Sequence, residues 1–194
     1  VLSVFAGLRP LAAPRSEGKK TKEISRSHKL IREKSGLITI IGGKWTTYRK
    51  MAQDTLDLAV RYMHVPAKDC ITERYQIHGS RKNPDFSDPL YVYGTDADEI
   101  RNLVASSPVM AEKLHPGYAY TVGEVTWLVR NEMPRTLEDV LARRLRILFL
   151  DARAAMAMAP KVAGILAAEW GKDEAWISAQ IKAFNEVASS YILN

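Results

Sequence analysis

From Ala97 to Tyr191 the apolar residues return at three- and four-residue intervals, the spacing of helices that each bury one face. The pattern predicts helices over about Ala97–Ala105, Pro108–Leu114, Val122–Met133, Leu137–Leu150, Ala152–Trp170 and Asp173–Tyr191. Leu137, Val140, Leu141, Leu145, Leu148 and Phe149 share a wide apolar face, which suits a bundle core better than a ligand box. Several starts and stops have physical markers. Thr121 can cap the helix that carries Glu124 in its first turn. Thr136-Leu-Glu-Asp139 resembles a capping box with Asp in place of Glu. Gly171 can close one helix and Asp173 open the next. Pro160 suits the first turn of a new helix, so a break is expected near it.

The first third of the chain has a different pattern. Val1 to Arg9 is β-branched and aromatic and reads as a strand that stops at Pro10, and residues 12–24 read as loop. Ser27–Arg32 and Gly36–Ile41 read as two strands around a Glu33-Lys-Ser-Gly36 turn. Gly42-Gly43 ends the second strand. Thr46 or Thr47 can then cap a helix in which Met51, Thr55, Leu58, Ala59 and Met63 recur, ending before Pro66. Residues 64–95, rich in Pro, Asp, Gly and Ser, read as a linker. The expected fold is mainly α: a C-terminal helical bundle domain over residues 70–194, preceded over residues 1–69 by a short β-rich part of strand, hairpin and helix. Three short strands cannot cover their own edges. The chain opens on Val1-Leu-Ser-Val-Phe5 without Met, so a piece of a longer protein is expected.

Charge sharpens that division. The 194 residues carry a net +6, but residues 1–50 hold 12 Lys and Arg against 3 Asp and Glu, a balance of +9, and the remainder is at −3. A basic segment attracts anions. One cysteine, Cys70, excludes an internal disulfide and suits a reducing compartment. The histidines at 28, 64, 78 and 115 lack metal-ligand spacing, so no metal site is expected and each reads as structural or exposed. No stretch reaches the ~18 to 20 apolar residues of a membrane span. Val122–Met133 and Leu137–Ile147 imitate a helix-turn-helix, but residues 121–153 hold 6 basic and 5 acidic side chains, so no nucleic-acid partner is expected.

The stretch with chemistry in it is Gly36-Leu-Ile-Thr-Ile-Ile-Gly-Gly-Lys-Trp-Thr-Thr-Tyr-Arg-Lys-Met-Ala52. Strand, glycine pair, lysine and helix start combine close backbone approach, free N–H groups and a full positive charge, the makings of an oxyanion cradle. A Walker A loop would need glycine at position 38 and Ser or Thr at 45, where the chain has Ile38 and Trp45. These residues contain no G-x-G-x-x-G.

Gly-Gly-Lys-Trp-Thr-Thr-Tyr-Arg after an apolar strand, with Ala6-Gly-Leu-Arg-Pro-Leu11 before it, resembles the FAD-dependent glycerol-3-phosphate dehydrogenase family. The run from Tyr120 to Arg153 is similar to that family's C-terminal helical domain. The resemblance implies a C-terminal portion of an enzyme that oxidises sn-glycerol 3-phosphate to dihydroxyacetone phosphate. Hydride would pass to FAD and electrons onward to a quinone. It implies Arg9 and Arg26 at the substrate phosphate, with Arg15 and Arg32 competing for the second role. It further implies Lys44 as catalytic, and Gly42, Gly43, Lys44, Thr46 and Thr47 along the cofactor. The proton-accepting base would lie upstream, so FAD is not expected on this chain alone and neither is turnover. A cytoplasmic enzyme, peripheral on the inner membrane face, is implied. Two readings stay open beside it: an oxidase passing electrons to O2, and a helical interaction or dimerisation domain without a catalytic role.

Overall fold

A computed structural model of the protein describes residues 1–8 and 27–193. It comprises two compact units, Val1–Ala6 with His78–Asn194, and Gly7–Ile77.

In the second of these, β1 (Lys29–Arg32) and β2 (Ile38–Ile41) form an antiparallel hairpin in which Lys29 faces Ile41 and Arg32 faces Ile38. The Glu33 N–H donates to the Leu37 carbonyl at 2.8 Å and closes the turn. A single 3₁₀ turn, Trp45–Thr47, leads into α1 (Tyr48–Met63), which packs against β2. His64, in the left-handed conformation, ends α1, with Pro66 two residues on. No described residue of α1 or of either strand is fully buried. Two strands and one helix give each apolar side chain a single covered side.

The other unit is helical: α2 (Ala97–Ala105), α3 (Pro108–Ala111), α4 (Val122–Asn131), α5 (Ile147–Leu150), α6 (Ala152–Trp170) and α7 (Glu174–Ser189). The α4 helix is buried from Val122 to Val129, between α2 and α6. Val125, Leu128, Leu141, Leu148, Met158, Val162, Leu166 and Phe184 are buried in one core. Each such side chain contributes about 1.5–3 kcal/mol by leaving water. Thr121, Asp151 and Asp173 cap α4, α6 and α7 through hydrogen bonds from Glu124, Ala154 and Trp176 amides. Arg130 binds the Glu169 carboxylate with two N–H groups at 2.8 and 2.7 Å, tying α4 to α6.

Three expectations are corrected. Val1 to Leu8 forms no strand. The Val4 N–H donates to the Tyr191 carbonyl at 2.8 Å, the Ala152 N–H donates to the Leu2 carbonyl, and Phe5 packs on Phe149 and Tyr191. Helix termini, not a neighbouring strand, satisfy this segment's backbone. Pro160 does not interrupt α6, which runs unbroken over 19 residues. Its buried face of Ala155, Ala159, Val162, Ala163 and Leu166 offsets the lost Pro160 hydrogen bond. The helix expected over 137–150 is divided instead. The Thr136–Asp139 box forms as anticipated, with Asp139 Oδ2 accepting from the Thr136 amide and Thr136 Oγ1 accepting from the Asp139 amide. A π-helical turn, Asp139–Arg144, follows. Tyr120 then donates its hydroxyl to the Leu145 carbonyl at 3.0 Å, and Arg146 adopts φ 59°. With that carbonyl taken by a phenol, the Phe149 amide turns to Arg146 and the helix restarts as α5.

Glu124 is only 4 % exposed and accepts the Tyr93 hydroxyl at 2.7 Å, latching the segment before α2 onto α4. Burial raises the Glu124 carboxyl above its usual range, and the Tyr93 hydrogen bond offsets part of that. A carboxyl with a raised folded pKa contributes stability that is fully present below its unfolded pKa. That contribution is lost as pH rises through the folded value. Glu124→Gln keeps an acceptor for Tyr93. Denaturant unfolding at a series of pH values should show the variant gaining on the parent sequence as pH rises through this window. A pH-independent difference would contradict the assignment.

Candidate functional site

The glycine corner lies between the end of β2 and α1. Gly42 and Gly43 both take positive φ, 80° and 83°. A Cβ on Gly42 would lie 2.9 Å from the Ser27 carbonyl oxygen, and one on Gly43 would lie 2.5 Å from Met51 Sδ and 3.3 Å from His28 Cβ. The torsions disfavour a side chain at both positions, and at Gly42 the Ser27 backbone oxygen also leaves no room, whereas the Met51 thioether beside Gly43 is flexible. The chain therefore turns directly against the segment that enters β1, and Lys44 leaves from this turn.

Lys44 and Thr47 are locked to each other. The Lys44 amide donates to Thr47 Oγ1 at 3.2 Å, while that hydroxyl donates to the Lys44 carbonyl at 2.9 Å. Ser27, His28, Lys44, Thr47 and Lys50 line a cavity of about 340 Å³. Beneath it Asp54 accepts from His28 Nε2 and Lys50 Nζ, each at 2.9 Å. The Lys50 ammonium, chiefly, holds the Asp54 carboxyl below the usual carboxylate range, and His28 adds to this. Lys44 is exposed, and among the described residues it makes no ion pair. Three nitrogen-bearing side chains around one small cavity suit an oxyanion or an electron-rich ring edge.

Of the residues singled out by sequence, Lys44 and Thr47 therefore share a cavity that Gly42 and Gly43 shape from behind. Thr46 is exposed on the 3₁₀ turn and does not line the cavity. Arg9, Arg15 and Arg26 lie outside the described residues. Arg32 caps the Tyr62 ring, its guanidinium carbon 3.7 Å from the ring centre, a cation–π contact rather than a cavity wall. Sequence reasoning missed His28, Lys50 and Asp54. Lys50 and Asp54 stand four apart on α1, a readable pair, but only the hairpin's return brings His28 to them. Trp45 and Tyr48 stack at 5.6 Å beside Lys44, and Trp45 is 86 % exposed. The helical unit holds a separate cavity of about 500 Å³ lined by Tyr93, Tyr120, Glu124, Arg144, Arg146 and Phe149, among others. Among the described residues no cluster of three or more His, Cys, Asp or Glu could hold a metal ion.

Comparison with known proteins gives this geometry a context. The C-terminal domain of alpha-glycerophosphate oxidase matches residues 37–177. The chain is 35% identical over 216 residues to a probable mitochondrial glycerol-3-phosphate dehydrogenase of Caenorhabditis elegans, covering 99% of this chain and 29% of that protein. It is 36% identical over 189 residues to the probable mitochondrial glycerol-3-phosphate dehydrogenase of Dictyostelium discoideum, covering 86% and 30%. It is 33% identical over 205 residues to the mitochondrial glycerol-3-phosphate dehydrogenase SDP6 of Arabidopsis thaliana, covering 89% and 32%. The chain thus spans under a third of the length of each of these curated relatives.

The corner's demands are testable without any ligand. Gly42→Ala should cost about 1–3 kcal/mol locally, read as faster hydrogen exchange at Ile40 to Lys44. Gly164→Ala, on α6 with nothing within 4 Å of its Cβ position, should leave the helical unit as stable or up to about 1 kcal/mol more stable. Unchanged exchange in Gly42→Ala would contradict the packing described.

Proposed function

The chain belongs to the family defined by the C-terminal domain of alpha-glycerophosphate oxidase, and from that premise we propose that it is the C-terminal portion of a flavoprotein oxidising sn-glycerol 3-phosphate to dihydroxyacetone phosphate. The observation that carries the proposal is the Gly42–Gly43 corner with Lys44 at its exit. Two left-handed torsions let the chain turn tightly against Ser27, His28 and Met51, and a lysine without an acidic partner among the described residues leaves that turn into a cavity it shares with His28 and Lys50. Residues of this kind fit the electron-rich edge of an FAD ring.

Bound FAD would supply the acceptor for the hydride leaving C2 of the substrate. Gly42, Gly43, Thr46 and Thr47 would hold it through backbone and hydroxyl groups. Lys44 would place a positive charge where negative charge grows, a stabilisation worth most in a water-poor site. Arg9 and Arg26 are assigned to the substrate phosphate, whose oxygens an arginine fork matches in pairs. In this reading the base for the C2 hydroxyl lies elsewhere in the parent, so the chain alone neither holds FAD tightly nor turns over. Residues 1–69 descend from the FAD- and substrate-binding domain, with Val1–Ala6 resting on the helical unit, and residues 70–194 form an accessory domain.

Quinone is the proposed electron acceptor and an inner-membrane face the proposed location, with the parent held peripherally. Among the described residues no helix is long and apolar enough to cross a membrane. The rest of the parent chain is the immediate partner. A homo-oligomer braced by the helical unit is a further part of the proposal.

In the complete protein, Lys44→Ala should lower kcat/KM for glycerol 3-phosphate about 100-fold and shift the flavin potential. Unchanged turnover and potential would contradict the role given to Lys44. Turnover with a quinone and without hydrogen peroxide is expected. Stoichiometric peroxide would make the parent an oxidase instead.

A further inference from the structure

Asp54 is more than half of a surface ion pair. Its contact with Lys50 is an ordinary i,i+4 pair of the kind that contributes only a few tenths of a kcal/mol. Its contact with His28 is different. It joins residues 26 apart and ties the segment entering β1 to α1, with both side chains largely covered.

His28 is also the surface against which the glycine corner turns. The Cβ position of Gly43 falls 3.3 Å from His28 Cβ, and that of Gly42 falls 3.8 Å from His28 Cα. Met51, three residues before Asp54 on α1, closes the other side. A shift of His28 therefore moves the floor under both glycines. Lys44 follows directly and shares its cavity with His28 and Lys50. One carboxylate thus holds two of the cavity's three nitrogen-bearing side chains by direct bonds, and the third through the corner's packing.

We infer that Asp54 is a positioning residue for Lys44: through His28 it fixes the Gly42–Gly43 corner and so the placement of Lys44 at the cavity. The functional part of this inference rests on the corner being the flavin and substrate site. The positional part stands on the packing alone.

Two measurements separate these parts. In the 194-residue chain, Asp54→Asn should displace the amide resonances of Gly42, Gly43 and Lys44 while leaving those of Leu128, Ala159 and Phe184 in place. Asp54→Glu, which keeps the charge on α1, should move the corner resonances less. Corner resonances that stay put in Asp54→Asn would overturn the inference. In the complete protein, Asp54→Asn should lower kcat/KM for glycerol 3-phosphate about ten-fold with FAD content and melting temperature retained, and Asp54→Glu should recover most of the loss. Full activity in Asp54→Asn would overturn the functional part. A parent with no activity toward glycerol 3-phosphate would sink the proposed function, while the resonance shifts would still decide the role of Asp54.

Discussion

Two successive glycines in left-handed torsions, pressed against the backbone entering β1 on one side and a helix side chain on the other, set the conditions for the candidate site. Gly42 lies close enough to the Ser27 carbonyl to leave no room for a methyl group, and Gly43 is enclosed by Met51 and His28. Such a turn reverses the chain within two residues. It brings Lys44, the Thr47 hydroxyl and the Lys50 ammonium to one cavity. The His28–Asp54 contact braces the same corner from below. A larger residue at either glycine would push strand and helix apart, and the three nitrogens would no longer converge.

The helical unit depends on a different balance. Its core is continuous from α2 through α4 and α6 to α7, and burial there is sufficient to keep α6 continuous through Pro160. Polar groups set the details that burial leaves open. The Tyr120 phenol takes a helical carbonyl and forces the break at Arg146. Asp139 accepts from two successive amides and starts the π-helical turn. Glu124 buys its latch to Tyr93 at the expense of desolvation, which is why its carboxyl holds its proton more firmly than a free one.

Much of this was legible in the residues. Period alone located α2, α4, α6 and α7, because each carries a face that the core must bury. The hairpin and α1 were marked by Gly36 and Gly42-Gly43, which reach torsions other residues avoid, and by Pro66, which cannot continue a helix. What could not be read depended on partners distant in the chain. Val1 to Leu8 has the composition of a strand, but Leu2 and Val4 bond to the backbone at Ala152 and Tyr191, at the start of α6 and just past α7. Helix propensity saw no obstacle near Leu145, because the obstacle is Tyr120, 25 residues away. His28 gave no signal at all, for its role arises from Asp54 and Gly43. The glycine–lysine motif was the readable part of the site, and the residues that brace it were the hidden part.

The chain's relatives are named glycerol-3-phosphate dehydrogenases, and the corner's shape gives a physical reason for its sequence. Glycines provide the turn, lysine provides charge, and a partly covered contact provides aim. The most direct measurement of the proposal is the position of Lys44 in a crystal structure of the complete polypeptide grown with FAD. The expected result is Lys44 Nζ at hydrogen-bonding range, about 3 Å, from the pyrimidine edge of the ring. A lysine directed into bulk water, remote from the ring, would contradict it.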